Sequence, residues 1–259
     1  MSTSLPSERP AVTTRLKSRL AGLRPEDRVD AYTLAPRCLL PTRSFCGVEL
    51  IAPPALSLGR FANRRRHKEP VWISILAEGC RLASALPAEL RLSLPVETGD
   101  AFPDDLLVQI ADTLSAHRLP AYRLDLEFTE ASLTTDSDSL FYSLAALRDA
   151  GAGLVLGGFG TGVTSLSLLR DRSFSGLITD VKLDRHLFAH DDSSQIEADR
   201  SIARAVVSLG RDFGLKTRAD GIDTEETLAF LTEIGCQSGR GAVLGEPQAI
   251  STFLDRFPS

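Results

Sequence analysis

At 259 residues and 43% hydrophobic side chains, the chain can bury a full core and has a length normal for a single α/β barrel. Its 29 basic against 34 acidic residues leave a formal charge of −5, which argues against general nucleic-acid binding. Cys38, Cys46, Cys80 and Cys236 lack C-x-x-C spacing and no run of about eighteen apolar residues occurs, so a zinc site, a disulfide framework and a membrane span are not expected. With no leader-type segment at the start, reduced thiols in a cytoplasmic protein are the expectation.

Residues 1–12 are rich in serine and proline, the composition of a disordered lead-in, and Thr13–Leu23 spaces Leu16, Leu20 and Leu23 as a short amphipathic helix before Pro25. Residues 1–28 therefore read as an extension, and 29–259 as the main domain. Two strand-like pieces follow, Val29–Leu34 and Phe45–Ile51, with Pro36, Pro41 and Thr42 between them as a hairpin-type connection. Gly59–Pro70 gathers Arg60, Arg64, Arg65, Arg66, His67 and Lys68. That cluster is either a solvated loop or a patch for an anion or an acidic partner.

Trp72–Leu86 has helical spacing, Leu90–Leu94 reads as a strand, and Pro103–Leu119 as a helix with Leu106, Ile110 and Leu114 on one face. Tyr122–Phe128 alternates apolar and charged residues, a strand with Leu124, Leu126 and Phe128 on one side. After a helix at Leu140–Leu147, the apolar run from Gly153 ends in the glycines 157, 158, 160 and 162, and a helical pattern follows from Val163 to Arg170. Such a loop is either a tight turn or a backbone cradle for phosphate at a helix N-terminus. Gly158-x-Gly160-x-Gly162 is not the dinucleotide fingerprint, and no strand ending in Asp or Glu follows about twenty residues on, which sets a Rossmann reading aside.

Gly176–Leu183 is the next strand. Ile196–Phe213 is a long helix with Ile202, Val206, Leu209 and Phe213 facing inward, and Leu215–Ala219 is a strand. Asp223 opens a helix whose capping box Glu226 completes and which Gly235 ends. Ala242–Leu244 reads as a last strand and Ile250–Phe257 as a last helix. Alternation of this kind over about 220 residues predicts parallel strands closed by helices, a (β/α)8 TIM-type barrel, with a hairpin-like opening that sets the first strand apart.

Taken in order, the motifs resemble those of the EAL-domain family, cyclic-di-GMP phosphodiesterases on a modified TIM barrel whose first strand is antiparallel. Gly47-Val-Glu49-Leu-Ile51 stands at the name motif, and Leu124-Asp-Leu-Glu127-Phe-Thr-Glu130 is similar to L-E-L-E-I/V-T-E. Phe159-Gly-Thr-Gly162 with Ser165-Leu166 is similar to D-D-F-G-T-G-x-S-S-L, and Lys182-Leu-Asp184-Arg185 to K-I-D-R. Ala219-Asp-Gly-Ile-Asp223-Thr-Glu-Glu226 is similar to A-E-G-V-E-T-E-E, and Gly241 with Glu246-Pro247 to Q-G-Y-L-F-S-R-P. The resemblance runs from about residue 30 to the C-terminus.

The resemblance also implies a two-metal site, and here the chain departs from it. Hydrolysis by two divalent cations ~4 Å apart needs bridging and terminal carboxylates, and hard cations want oxygen ligands that glycine lacks. Glu49, Glu127 and Lys182 remain, the Asn position is Ser93, the final Glu is Asp220, and the paired aspartates are Gly157 and Gly158. No catalytic residue, metal or cofactor is therefore expected. Nucleotide contacts are depleted as well: Pro53 stands at the phosphate-binding Arg, Ala35 at an early Gln and Arg240 at a late one, while Gly241 and Pro247 remain as pocket wall.

Glu49, Glu127 and Lys182 read either as a mutually neutralising cluster or as ligand contacts. The function expected is a degenerate EAL regulator that acts through a protein partner, with neither membrane nor direct nucleic-acid binding. The alternative is a non-hydrolysing cyclic-di-GMP receptor in which Arg240 and the Arg64–Lys68 cluster replace lost phosphate contacts. An active phosphodiesterase is the reading with least support.

Overall fold

The computed structural model describes residues 32–51, 71–96, 105–133, 138–159, 176–190 and 192–255. The lead-in at 1–28, the basic cluster at 59–70 and the helical pattern at 163–170 lie outside these residues. Within them, β1 (Thr33–Leu39), β2 (Phe45–Ile51), β3 (Arg91–Pro95), β4 (Leu124–Phe128), β5 (Gly153–Phe159), β6 (Asp180–Leu183), β7 (Lys216–Ala219) and β8 (Ser238–Gly239) form a closed sheet. Strands β2 to β8 run parallel, and β1 closes the barrel antiparallel to both β2 and β8. A short β9 (Gln248–Ala249) adds to β1. This is the expected barrel with its reversed first strand.

The first strand lies later than its sequence pattern suggests, at Thr33–Leu39 rather than 29–34, and Pro36 sits inside it instead of in the connection. The pairing explains the tolerance. Outside β2, β1 pairs with β9 through Thr33 and Leu34 and with β8 through Cys38 and Leu39, which leaves Pro36 between the two. A residue without an N–H fits where no second ladder needs one. The eighth strand lies earlier than its sequence pattern suggests, at Ser238–Gly239, and Ala242–Leu244 is a 3-10 turn. Two residues are too few to show a period. Gly239 is needed there, since a Cβ would stand 2.6 Å from the Ala219 carbonyl oxygen.

Helices α1 (Val71–Ala85), α2 (Leu106–Ala116), α3 (Glu130–Leu133), α4 (Asp138–Asp149), α5 (Ser193–Asp212), α6 (Glu225–Glu233) and α7 (Ile250–Leu254) fall between and after the strands. Their buried apolar stripes and the alternate residues of the strands make one core, with Leu92, Leu94, Leu124, Leu126, Phe128, Leu154 and Leu156 at its centre. In α5 the buried face is Asp199, Ala203, Val206, Val207 and Gly210, whereas Ile202 and Phe213 are 39% and 45% exposed. Close approach to the barrel selects small residues: a Cβ on Gly210 would lie 2.6 Å from Thr217 Cγ2. The stripe is therefore turned from the one the large side chains suggest.

The capping of α6 also differs from expectation. Thr224 is the N-cap, its side chain accepting from the Thr227 N–H, while Asp223 accepts from the Ala242 N–H and Glu226 pairs with Arg200. Gly235, at φ +87, follows the helix as its left-handed stop. The 176–183 segment becomes strand only at Asp180, and the 122–128 segment only at Leu124 after a 3-10 turn. No helix among the described residues is long and apolar enough to cross a membrane.

Candidate functional site

In a barrel covered by helices both faces of each strand are buried, so residues alternating with the core leucines must point into the interior. TIM barrels usually fill that space with branched apolar side chains. Here β4 supplies Asp125 and Glu127, β6 supplies Asp180 and Lys182, and Arg218 with Asp220 stand in and just after β7. The side chains meet across the axis rather than along one strand, in two ionic layers.

The layer at the C-terminal ends of the strands holds five groups. Lys182 Nζ lies 2.8 Å from Glu49 Oε2 and 2.9 Å from Glu127 Oε2. Arg240, just after β8, donates from Nε to the same Glu49 oxygen at 2.6 Å and from Nη2 to Asp220 Oδ2 at 2.5 Å. Burial pushes the Glu49 carboxyl up, but Lys182, Arg240 and Arg37 outweigh it and hold its pKa at about 2. Burial, with Glu49 beside it, raises Glu127 against the pull of Lys182, and burial raises Asp220 against Arg240. For Lys182 the burial penalty is overcome by Glu127 and Glu49, and the ammonium is held firmly charged.

Gly157 and Gly158 lie beside this cluster, where the pairing of β5 with β6 slips. Gly158 has φ +69, and a Cβ on Gly157 would stand 2.6 Å from Glu127 Oε1. Ser93 is not part of the cluster. Its Oγ accepts from Arg37 Nη1 at 3.0 Å and from Arg218 Nη1 at 3.2 Å, one layer below. Gly241 packs on the Ile222 backbone, Ala35 is buried in β1 opposite Glu49, and Pro247 is exposed before β9. Pro53 and Arg64–Lys68 lie outside the described residues.

The lower layer was missed in the sequence. Asp125, fully buried, accepts from Arg37 Nη1 at 2.8 Å, Arg218 Nη2 at 2.8 Å and Arg91 Nε at 2.6 Å. Arg218 Nε reaches Asp180 Oδ1 at 2.8 Å. The available signal was charge at i and i+2 in or just after three of the parallel strands, β4, β6 and β7, which in a closed barrel faces the interior.

The family whose motifs the chain carries implies divalent cations at the upper layer. The donor set does not fit them. Gly157 and Gly158 offer no side-chain oxygen, the Ser93 hydroxyl is turned to arginines below, and Lys182 Nζ stands between the two glutamates. Among the described residues no three His, Cys, Asp or Glu side chains are grouped to hold a metal ion.

A family model described as the EAL domain matches residues 69–247, more than half of the chain. The chain belongs to the EAL domain family. It is 36% identical over 152 residues to the bifunctional diguanylate cyclase/cyclic di-GMP phosphodiesterase MucR of Pseudomonas aeruginosa, covering 58% of this chain and 21% of that protein. It is 31% identical over 158 residues to the cyclic di-GMP phosphodiesterase PA2567 of the same organism, covering 61% and 26%. The chain thus spans about a fifth to a quarter of the length of these relatives. Among solved structures, the PaMucR phosphodiesterase–c-di-GMP complex superposes with TM-score 0.73 at 27% identity, covering 86% of this chain and 93% of the other. The EAL domain of Mycobacterium smegmatis DcpA gives 0.70 at 26%, covering 88% and 95%.

Proposed function

We propose that this EAL domain is a non-catalytic module of cyclic-di-GMP signalling that acts by binding a protein partner. The observation that carries the reading is the ionic closure of the barrel mouth: Lys182 and Arg240 are both bound to Glu49, and through Glu127 and Asp220 to the rest of the cluster. Two-metal hydrolysis needs carboxylates that bridge cations, and the glycines at 157 and 158 supply none. A bound dinucleotide brings two phosphodiester charges that must be paired when buried. At the mouth it meets two cations and three carboxylates, so each phosphate contact has to displace an existing ion pair. A partner that docks on the outer helices has no such requirement, and Val108 on α2 and Tyr142 on α4 are exposed there at 57% and 70%.

The test is incubation with cyclic-di-GMP and Mg²⁺ or Mn²⁺, with calorimetry on the same sample. The expected outcome is no linear dinucleotide and no heat of binding at high micromolar nucleotide. Turnover that scales with protein and vanishes in Glu49→Ala overturns the non-catalytic reading. A second reading, a receptor that binds without cleaving, draws support from the likeness to the PaMucR domain, solved with c-di-GMP. Micromolar affinity that falls about tenfold in Lys182→Ala or Arg240→Ala, the loss of one charge-assisted contact, establishes the receptor instead.

A further inference from the structure

The opposite end of the barrel carries a cavity of about 310 Å³ that the proposed function does not use. Its walls include the first residues of five strands, Arg91, Gly153, Asp180, Lys216 and Ser238, which fixes it at the N-terminal end of the barrel. The αβ connections around that end, at 86–90, 117–123, 150–152, 176–179, 213–215 and 234–237, are all among the described residues. We infer that this cavity is a binding site for a small phosphoryl oxyanion, separate from the mouth that the family uses.

Three observations carry the inference. Arg37, Arg91, Lys216 and Arg218 line the cavity against only Asp125 and Asp180, a surplus of two positive charges, while Arg148, also in the lining, is paired with Asp149. Such a surplus in a partly closed space is costly unless an anion joins it. Donors are also left over: Arg37 is 3% exposed, lines the cavity, and has a buried Nε with no hydrogen-bond partner. Buried guanidinium N–H groups of this kind normally find an acceptor. Lys216 stands exposed at the rim, and its ammonium makes no hydrogen bond or ion pair with the described residues.

The lining also limits the ligand. No aromatic side chain is among the lining residues, so nothing offers a stacking platform for a base. The volume lies at the low end of small-molecule sites, which run from ~300 Å³ upward. A compact, multiply charged group suits it, and arginine forks match the tetrahedral oxygens of phosphate in pairs. Burial pushes the Asp180 carboxyl up to about 6, so one of the two counter-charges is lost as the pH falls below that value. Free phosphate-type anions and the terminal phosphates of a small metabolite share this chemistry.

The experiment titrates the full chain with pyrophosphate, inorganic phosphate and adenosine diphosphate at constant ionic strength, read by calorimetry and by the melting midpoint. Saturable binding of pyrophosphate is expected, weakened about tenfold or more in Lys216→Glu and in Arg91→Gln. Lys216 is a rim residue, so Lys216→Glu should melt like the parent without ligand, which separates lost binding from lost folding. Tighter binding of adenosine diphosphate than of pyrophosphate identifies a phosphorylated metabolite as the ligand, and the reverse order identifies a free anion. Absence of saturable binding at millimolar pyrophosphate overturns the inference, as does binding that both variants leave unchanged.

Discussion

The two ends of the barrel interior use the same kinds of side chain in opposite proportion. At the C-terminal end Lys182 and Arg240 face Glu49, Glu127 and Asp220, whereas at the N-terminal end Arg37, Arg91 and Arg218 face Asp125 and Asp180. The two balances, one charge negative and one charge positive, cancel along the axis. An anion approaching the mouth meets carboxylates already holding the cations it needs. An anion approaching the base meets cations that outnumber their partners. The end at which the motifs cluster is thus the more negative of the two in this chain.

The lower layer is expected to be the more sensitive to a single loss. Asp125 alone joins three arginines, and its removal leaves buried guanidinium charge unpaired. Asp125→Ala should destabilise the fold by about 3–5 kcal/mol, measured by urea denaturation at pH 7. A loss below about 1 kcal/mol would show that water enters this layer and screens it. The upper layer should respond less, because Glu127 is 24% exposed in its side chain and water can screen the charge left behind. Lys182→Met leaves Arg240 to hold Glu49, and a loss of about 2–3 kcal/mol is expected by the same measurement. A larger loss than for Asp125→Ala would reverse the ranking of the two layers.

The smallest effect separates the layers by pH. Asp180 is raised from the ordinary Asp value of 3.8 to about 6, chiefly by burial, with Thr179, Lys216 and Arg37 opposing and Asp125 reinforcing the shift, and Arg218 paired to it. A carboxyl with a raised folded-state pKa binds its proton more tightly when folded than when unfolded. Its contribution to stability is therefore present below about 4 and lost as pH rises to about 6. Across that window the parent should lose on the order of 1–2 kcal/mol relative to Asp180→Asn, read as the difference in denaturation midpoints at several pH values. Parallel curves for parent and variant would place Asp180 in contact with water.

Much of the fold was legible because long elements carry their own period. The order of strands, the reversed β1 and the helices α1, α2 and α4 to α7 follow from apolar spacing and from the motifs, whereas the single turn of α3 is too short to show a period. What misled was local. Pro36 looks like a breaker until β9 and β8 are seen to leave a gap beside it. Ile202 and Phe213 look like core until the need for Gly210 and Ala203 against the barrel is known. The site shows the same division. Glu49, Glu127, Lys182, Asp220 and Arg240 could be gathered from the motifs the chain shares with the EAL family, and they do meet. Ser93, placed with them by the motif order, turns instead to the lower layer, where its hydroxyl meets Arg37, Arg218 and Asp125. The lower layer needed closure of the barrel before its charges had a direction.

The contact between Gly157 and Glu127 couples two positions of the barrel. A Cβ at 157 would stand 2.6 Å from Glu127 Oε1, the oxygen that also accepts from Lys182. Any side chain placed at 157 has to displace Glu127 and disturb its bond to Lys182, which is itself tied to Glu49. Position 157 and the cluster therefore form one unit of substitution, in which a larger residue fits only together with a change at Glu127 or Lys182.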